Sequence, residues 1–369
     1  MRCHVRWEDC VINVLTSYYY CGKNAELWDC FFQEATKRKW RLLIDSGAFS
    51  AFHAKQSIDL EAYCAFLKAR RSMFWDYIAL DVINNREASI RNYHKMRMHN
   101  LKPMAVLTED MEVTQLNDLM EMTGNERVCV AGGVRWPMRA FMARCQLAKV
   151  HAPRAKVHAL GFTRGSGPWR SGVASVDSST WVNGSRFGSF ATFDPVGIVQ
   201  HASAKLAKAP VSAWPMSVQQ SCVRFGVTHE DLQSDAFTRR GSCGRHLITC
   251  EAWLQFAERA EELDCTFFFA TTDPRQLLPD MAATFALRSG LGWQRARQLA
   301  KHTLADLKAR GRPAIARAMD LIDRAGEHAQ KGSGLACVRR LAQDRLSQGG
   351  GSQDTAPPRS ALLAHPAAL

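Results

Sequence analysis

Three short apolar runs in this chain stop at a carboxylate. Leu42-Leu43-Ile44 ends at Asp45 and breaks into Ser46-Gly47, Tyr77-Ile78-Ala79-Leu80 ends at Asp81, and Val173-Ala174-Ser175-Val176 ends at Asp177. If the runs are parallel strands of one sheet, the three acids converge at its end. Converging carboxylates suit substitution at the anomeric carbon of an N-glycoside. One carboxylate stabilises or traps the oxocarbenium-like carbon, a second with a raised pKa carries the proton of the departing and incoming base, and a third hydrogen-bonds the base edge. A single aspartate at a strand end is more commonly a helix cap or turn residue. The series of three is what points to chemistry.

The elements that must position these acids alternate along the chain. Val11–Leu15, Leu42–Asp45, Tyr77–Asp81, Pro103–Leu107, Val128–Gly133, Lys156–Phe162 and Val173–Asp177 read as seven strands. Helical stretches separate them, such as the one opened by Asp59, with Leu60, Tyr63, Cys64, Phe66 and Leu67 on one face. Strand and helix in alternation predict an α/β fold with parallel strands and right-handed crossovers. A (β/α)8 TIM-like barrel with one strand unrecognised competes with a doubly wound sheet. Polar or glycine positions at many strand ends (Asp45, Asp81, Gly132, Gly161, Asp177) favour the barrel, whose sites are built there.

After Asp177 the pattern changes. Phe190–Gln200 reads as a hairpin around Pro195-Val196-Gly197, and from Ala202 the signal is mainly helical. The organisation expected is a barrel carrying the active site over 1–201, a helical basic region over 202–345, and a disordered Gly-, Ser-, Pro- and Ala-rich tail over 346–369. The formal charge of +13 favours a polyanionic partner. Ser289-Gly290-Leu291-Gly292 resembles the phosphate-approaching turn of a helix-hairpin-helix, with Arg288, Arg295, Arg297 and Lys301 around it as candidate DNA contacts or as a solvated basic face. Twelve scattered cysteines without a Cys-x-x-Cys pair read as reduced thiols; Cys243, His246 and Cys250 form a weak zinc candidate beside a plain helix-packing reading. The N-terminus lacks a secretory apolar region and no run is long enough to span a bilayer, so a cytoplasmic protein without membrane contact is expected.

Six segments, in order across residues 40 to 201, resemble the tRNA-guanine transglycosylase superfamily. Asp45-Ser46-Gly47-Ala48-Phe49 is similar to its Asp-Ser-Gly-Gly-Phe segment, Leu80-Asp81 falls at its base-recognising aspartate, and Ala131-Gly132-Gly133-Val134 is similar to its Gly-Gly-Leu. His158–Phe162 resembles the following glycine-bearing strand end, Val176-Asp177-Ser178 lies at its nucleophile, and Arg186–Thr192 resembles its Arg-Asn-Gly-x-Phe-Thr hairpin. The chain departs from the tRNA-acting members. No Gly-Ile-Val-Gln-Gly precedes Gly132, the similar string Gly197–Gln200 comes too late, and the Cys-x-Cys-x2-Cys zinc site is missing. The shortened barrel and divergent C-terminus look more like the DNA-acting, DpdA-type 7-deazaguanine transglycosylases of phages and bacterial modification islands.

The resemblance implies Asp177 as nucleophile, Asp45 as general acid/base and Asp81 as base-edge reader. It places Ser46, Gly47, Gly132, Gly133 and Gly161 against the base, and Arg186 on the nucleic acid. The implied reaction replaces guanine in DNA by a free 7-deazaguanine base of the preQ0 type, through a covalent Asp-glycosyl intermediate and with no cofactor required. The same exchange on tRNA, a base-releasing hydrolase or glycosylase, and a non-catalytic nucleic-acid-binding barrel are the alternatives. Trp136, Trp169 and Trp181 are candidates for stacking on an extruded base, or for ordinary packing.

Overall fold

A computed structural model of the chain describes residues 12–132, 136–182, 187–194, 196–234, 237 and 243–330. Gly133, Arg186 and the tail 346–369 lie outside the described residues. The strands are β1 Asn13–Ser17, β2 Arg41–Asp45, β3 Asp76–Tyr77, β4 Ala105–Leu107, β5 Arg127–Val130, β6 Lys156–Ala159, β7 Ser175–Ser178, β8 Ser189–Asp194, β9 Gly197–Ala202 and β10 Thr266–Ala270. Eight form one parallel sheet in the order β3-β2-β1-β10-β7-β6-β5-β4. Its two outer strands are themselves joined: Ile78 bridges Met104, and Ala79 N–H donates to Met104 O (2.9 Å) while Met104 N–H donates to Tyr77 O (2.8 Å). The sheet thus closes into a (β/α)8 barrel.

The helices Ala25–Lys37, Leu60–Arg70, Arg86–Met98, Leu116–Thr123 and Met138–His151 return the chain between successive strands from β1 to β6. Local chemistry starts three of them. Asn24, Asp59 and Asn85 each accept a backbone N–H three residues on, satisfying an otherwise orphaned donor. In Leu60–Arg70 the residues Tyr63, Cys64 and Leu67 are buried, the face that the sequence periodicity predicts.

Register then sorts the side chains between barrel wall and lumen. The pairs Ser17 with Asp45, Asp177 with Phe268, His158 with Ser175 and Cys129 with His158 put these residues on one face of the sheet. That face is the lumen. Trp75, just before β3, meets Phe268 of β10 at a ring separation of 5.3 Å, although β2 and β1 lie between them in the sheet. The N-terminal end of the lumen is closed by Arg127, which lies over Trp75 (4.4 Å) and pairs with Asp76 (3.2 Å).

The seven strands expected from the sequence are present, and the eighth is β10, the run Thr-Phe-Phe-Phe-Ala. It falls within the stretch read as helical after residue 201, so the barrel extends past that boundary and is completed late in the chain. The segment between β7 and β10 forms the antiparallel hairpin β8–β9, several short helices and the long helix Cys243–Glu261. Ala191 N–H donates to Thr249 Oγ1 (3.1 Å), so β8 lies along that helix. At the hairpin turn Gly197 has φ +139°, and a Cβ there would stand 2.8 Å from the Gly165 backbone. This close approach locks the hairpin against the loop after β6. Phe190, Trp214, Val218, Phe225, Leu247 and Trp293 form a second apolar core beneath it.

After β10 the helices Pro274–Arg288, Trp293–Arg310 and Arg312–Gln330 pack against one another, and Arg38 anchors the last through Asp320 and Asp323. Arg288 is only 2% exposed and binds Glu251 (2.6 Å) and Glu258 (2.5 Å). Its charge is consumed inside the fold, which corrects its reading as a nucleic-acid contact. Removing one member of a buried ion pair strands the other. Arg288→Met is therefore expected to cost on the order of 3–5 kcal/mol of stability in urea unfolding.

Candidate active site

All three strand-end carboxylates open on the C-terminal mouth of the barrel. Asp45 ends β2, and its Oδ2 accepts the Gly47 N–H (3.0 Å). Gly47 has φ +85°, and a Cβ on it would come within 2.5 Å of Tyr19 Cβ, so the Asp-Ser-Gly turn is seated directly on the end of β1. Ser46 is buried and its Oγ accepts the Ala48 N–H (3.2 Å), which makes it a support of the turn. Asp81 follows β3 on a segment fixed by Asn92 Nδ2 to Leu80 O (3.1 Å) and Val82 N–H to Ser89 Oγ (2.8 Å). Asp177 lies in β7, with Oδ1 accepting the Gly161 N–H (2.8 Å). Gly161 thus holds a carboxylate through its backbone.

Electrostatics tie the three together. Burial pushes Asp45 up to about 6 against the pull of the Gly47 N–H, and the charge of Asp177 adds to the rise. Burial, then the charge of Asp45, lifts Asp81 to about 7. Two carboxyls raised toward neutrality stand beside a third oriented by a backbone donor, which gives the mouth two proton carriers and a fixed carboxyl.

Gly132, at φ +111° and two residues past β5, lies under the Trp136 ring, to which a Cβ would come within 3.4 Å. The indole N–H donates to Glu109 Oε2 (3.1 Å), and the Arg144 guanidinium lies 5.1 Å from the ring centre. Trp136 therefore stands at the rim as a fixed aromatic wall. Trp181 is buried, with its N–H on Ala270 O (2.9 Å), and Trp169 packs on Phe256 (5.2 Å); both belong to the packing of the barrel.

The basic candidates lie elsewhere. Pro274–Arg288 starts at the mouth and runs about 22 Å away from it, at 1.5 Å per residue. Arg295 and Arg297 then lie in the first turns of the returning helix Trp293–Arg310, and Lys301 near its middle. The end of that helix regains the mouth side, where Lys308 and Arg312 line a groove with Asn24, Glu26 and Arg275. Cys243, His246 and Cys250 each contact a different neighbour: Arg297 O (3.7 Å), Asp280 (3.4 Å) and Met281 Sδ (3.8 Å). Among the described residues no group of three His, Cys, Asp or Glu side chains is placed to hold a metal ion. No helix among them is long and apolar enough to cross a membrane.

Two features escaped the sequence reading. His158, inside β6, faces Asp177 in the lumen, and no spacing rule marks a lone histidine within an apolar strand. Phe49 and Phe52, about half exposed on the short helix that follows Gly47, flank the mouth. Phe49 already stood in the Asp-Ser-Gly segment, and its position after the turn was the available signal.

No family model matches the chain, and no curated protein does. Among solved structures the chain is similar to a candidate fructose-1,6-biphosphate aldolase from Coccidioides immitis, at 10% identity and a TM-score of 0.29, over 86% of this chain and 93% of that one. A likeness of that size carries no argument about chemistry.

The pKa shifts make a test of the shared site. Between about pH 4 and 7 the folded chain retains protons on Asp45 and Asp81 that the unfolded chain has lost, so their contribution to stability falls as pH rises through that window. Asp45→Asn and Asp81→Asn should each raise stability at pH 8 by on the order of 1–2 kcal/mol, with the difference vanishing near pH 4. Urea unfolding at both pH values is the measurement; a difference that does not change with pH would remove the assignment of buried, mutually repelling acids.

Proposed function

We propose that the chain is an enzyme of base exchange, replacing guanine in DNA by a free 7-deazaguanine through a glycosyl ester on Asp177. The observation that carries this reading is the convergence of three carboxyls in unequal states, two raised into the neutral range and one held by the Gly161 N–H. Asp177 attacks the anomeric carbon as the glycosidic bond breaks, and the bonding pair leaves with guanine. Asp45, poised near 6, gives that base a proton. In the second half the incoming base returns a proton to Asp45, its nitrogen attacks the same carbon, and Asp177 departs as carboxylate. Asp81, near 7, is able both to donate to and to accept from a base edge at neutral pH.

A target guanosine must leave the duplex to reach the lumen, at a cost of about a few kcal/mol. Phe49, 52% exposed beside Asp45, offers a stacking face that offsets part of it. Lys308 and Arg312 offer phosphate contacts on the same side. DNA is favoured over tRNA because the segments after the hairpin depart from those of the tRNA-acting enzymes. The test is incorporation of labelled guanine into duplex DNA and into unmodified tRNA. Label is expected in DNA and should drop by at least about 10³-fold in Asp177→Asn, with salt-sensitive DNA binding retained. Label only in tRNA would change the polymer, and abasic sites without label would mean release to water.

A further inference from the structure

His158 is fully buried in the lumen, and the base-exchange scheme leaves it without a task. Its Nδ1 lies 2.9 Å from Ser175 Oγ, and its Nε2 stands 3.3 Å from Asp177 Oδ1, off the line of a hydrogen bond and without another partner among the described residues. A buried imidazole nitrogen left unsatisfied beside a carboxylate is costly unless the two engage. The tautomer follows from the charges. With the proton on Nδ1, the Nε2 lone pair would face the carboxylate lone pairs; with the Ser175 hydroxyl donating to Nδ1, Nε2–H points toward Asp177. Among the described residues the ring meets Ser175 and Asp177 of β7 and Phe268 of β10, Cys129 of β5 is its register partner, and Asp45 feels it across the lumen. Of these only the two aspartates attract a proton on Nε2.

We propose that His158 is a positioning residue whose Nε2–H shares Asp177 Oδ1 with the Gly161 N–H, which leaves Oδ2 as the oxygen that bonds to the anomeric carbon. Oδ2 has no partner among the described residues. In the first displacement Oδ2 forms the ester bond as the C–N bond breaks, and Oδ1 becomes the ester carbonyl oxygen. In the second, the C–O bond breaks and its electron pair returns to the carboxylate, where the two donors stabilise the charge that reappears. The off-line contact becomes straight when substrate draws Oδ2 into the mouth, as hydrogen bonds at a reacting centre commonly do.

This rests on the exchange reading, so the experiment has an arm that does not. Imidazole 15N shifts of the wild type, with His158 identified by its loss in His158→Gln, report the tautomer directly. Nε2–H with unprotonated Nδ1 is expected; it should persist in Ser175→Ala, where Asp177 still faces Nε2, and give way to a mixture of tautomers in Asp177→Ala; an Nδ1–H tautomer in the wild type overturns the proposal. In the kinetic arm, His158→Met should lower kcat for labelled-guanine exchange by about 10²-fold with the KM for guanine unchanged. His158→Gln, whose amide restores a donor near Nε2, should recover to within about tenfold. Equal kcat in wild type and a folded His158→Met variant overturns it as well. A wild type with no exchange at all removes the function reading, and the tautomer then decides the assignment alone.

Discussion

The structure depends on keeping three carboxyls in one poorly solvated mouth. Like charges in such a place repel, and burial withdraws the water that would screen them. The fold answers with proton uptake on Asp45 and Asp81 and with a backbone donor on Asp177. The glycine turns after β2 and β6 aim their N–H groups at Asp45 and Asp177.

Most of this architecture is readable in the residues. Seven strands announce themselves as short apolar runs, five of them ended by aspartate or glycine, because a strand buried on both faces has little room for polar residues along its length. The eighth, Thr266–Ala270, is equally apolar but follows the helix Cys243–Glu261, and its place between β1 and β7 is set by pairing across more than 250 residues, with Asn13 Nδ2 on Phe267 O at a separation of 254. Local pattern carries no such information. Arg288 fails for a related reason: its partners Glu251 and Glu258 precede it by 37 and 30 residues, and a charge in a sequence does not say whether it meets solvent or an acid. Ser46 and Gly161 stand in the segments that the sequence marks, where Ser46 Oγ accepts the Ala48 N–H and the Gly161 N–H donates to Asp177.

The segment between β7 and β10 changes what lies around the barrel. The crossover from β6 to β7 contains only the four-residue helix Gly167–Arg170, and the wall beside it is supplied by β8 and the helix Cys243–Glu261, through Trp169, Phe193 and Phe256. The hairpin is thus both a structural patch and a neighbour of the loops that carry Gly161 and Gly165.

That arrangement also sets the order in which a growing chain can be completed. From Ser178 to Thr266 about 90 residues must be made, on the order of 5–20 s of synthesis, before the strand that joins β7 to β1 exists. Until then both flanking strands present open edges, and one of them, β1, is buried at every position in the finished fold. Helix Cys243–Glu261 and most of the second core around Trp214 and Phe225 emerge in that interval, able to pack on one another before the ring is closed. Closure of the ring is therefore a single late event, in which five residues convert an open, adhesive sheet into a sealed one.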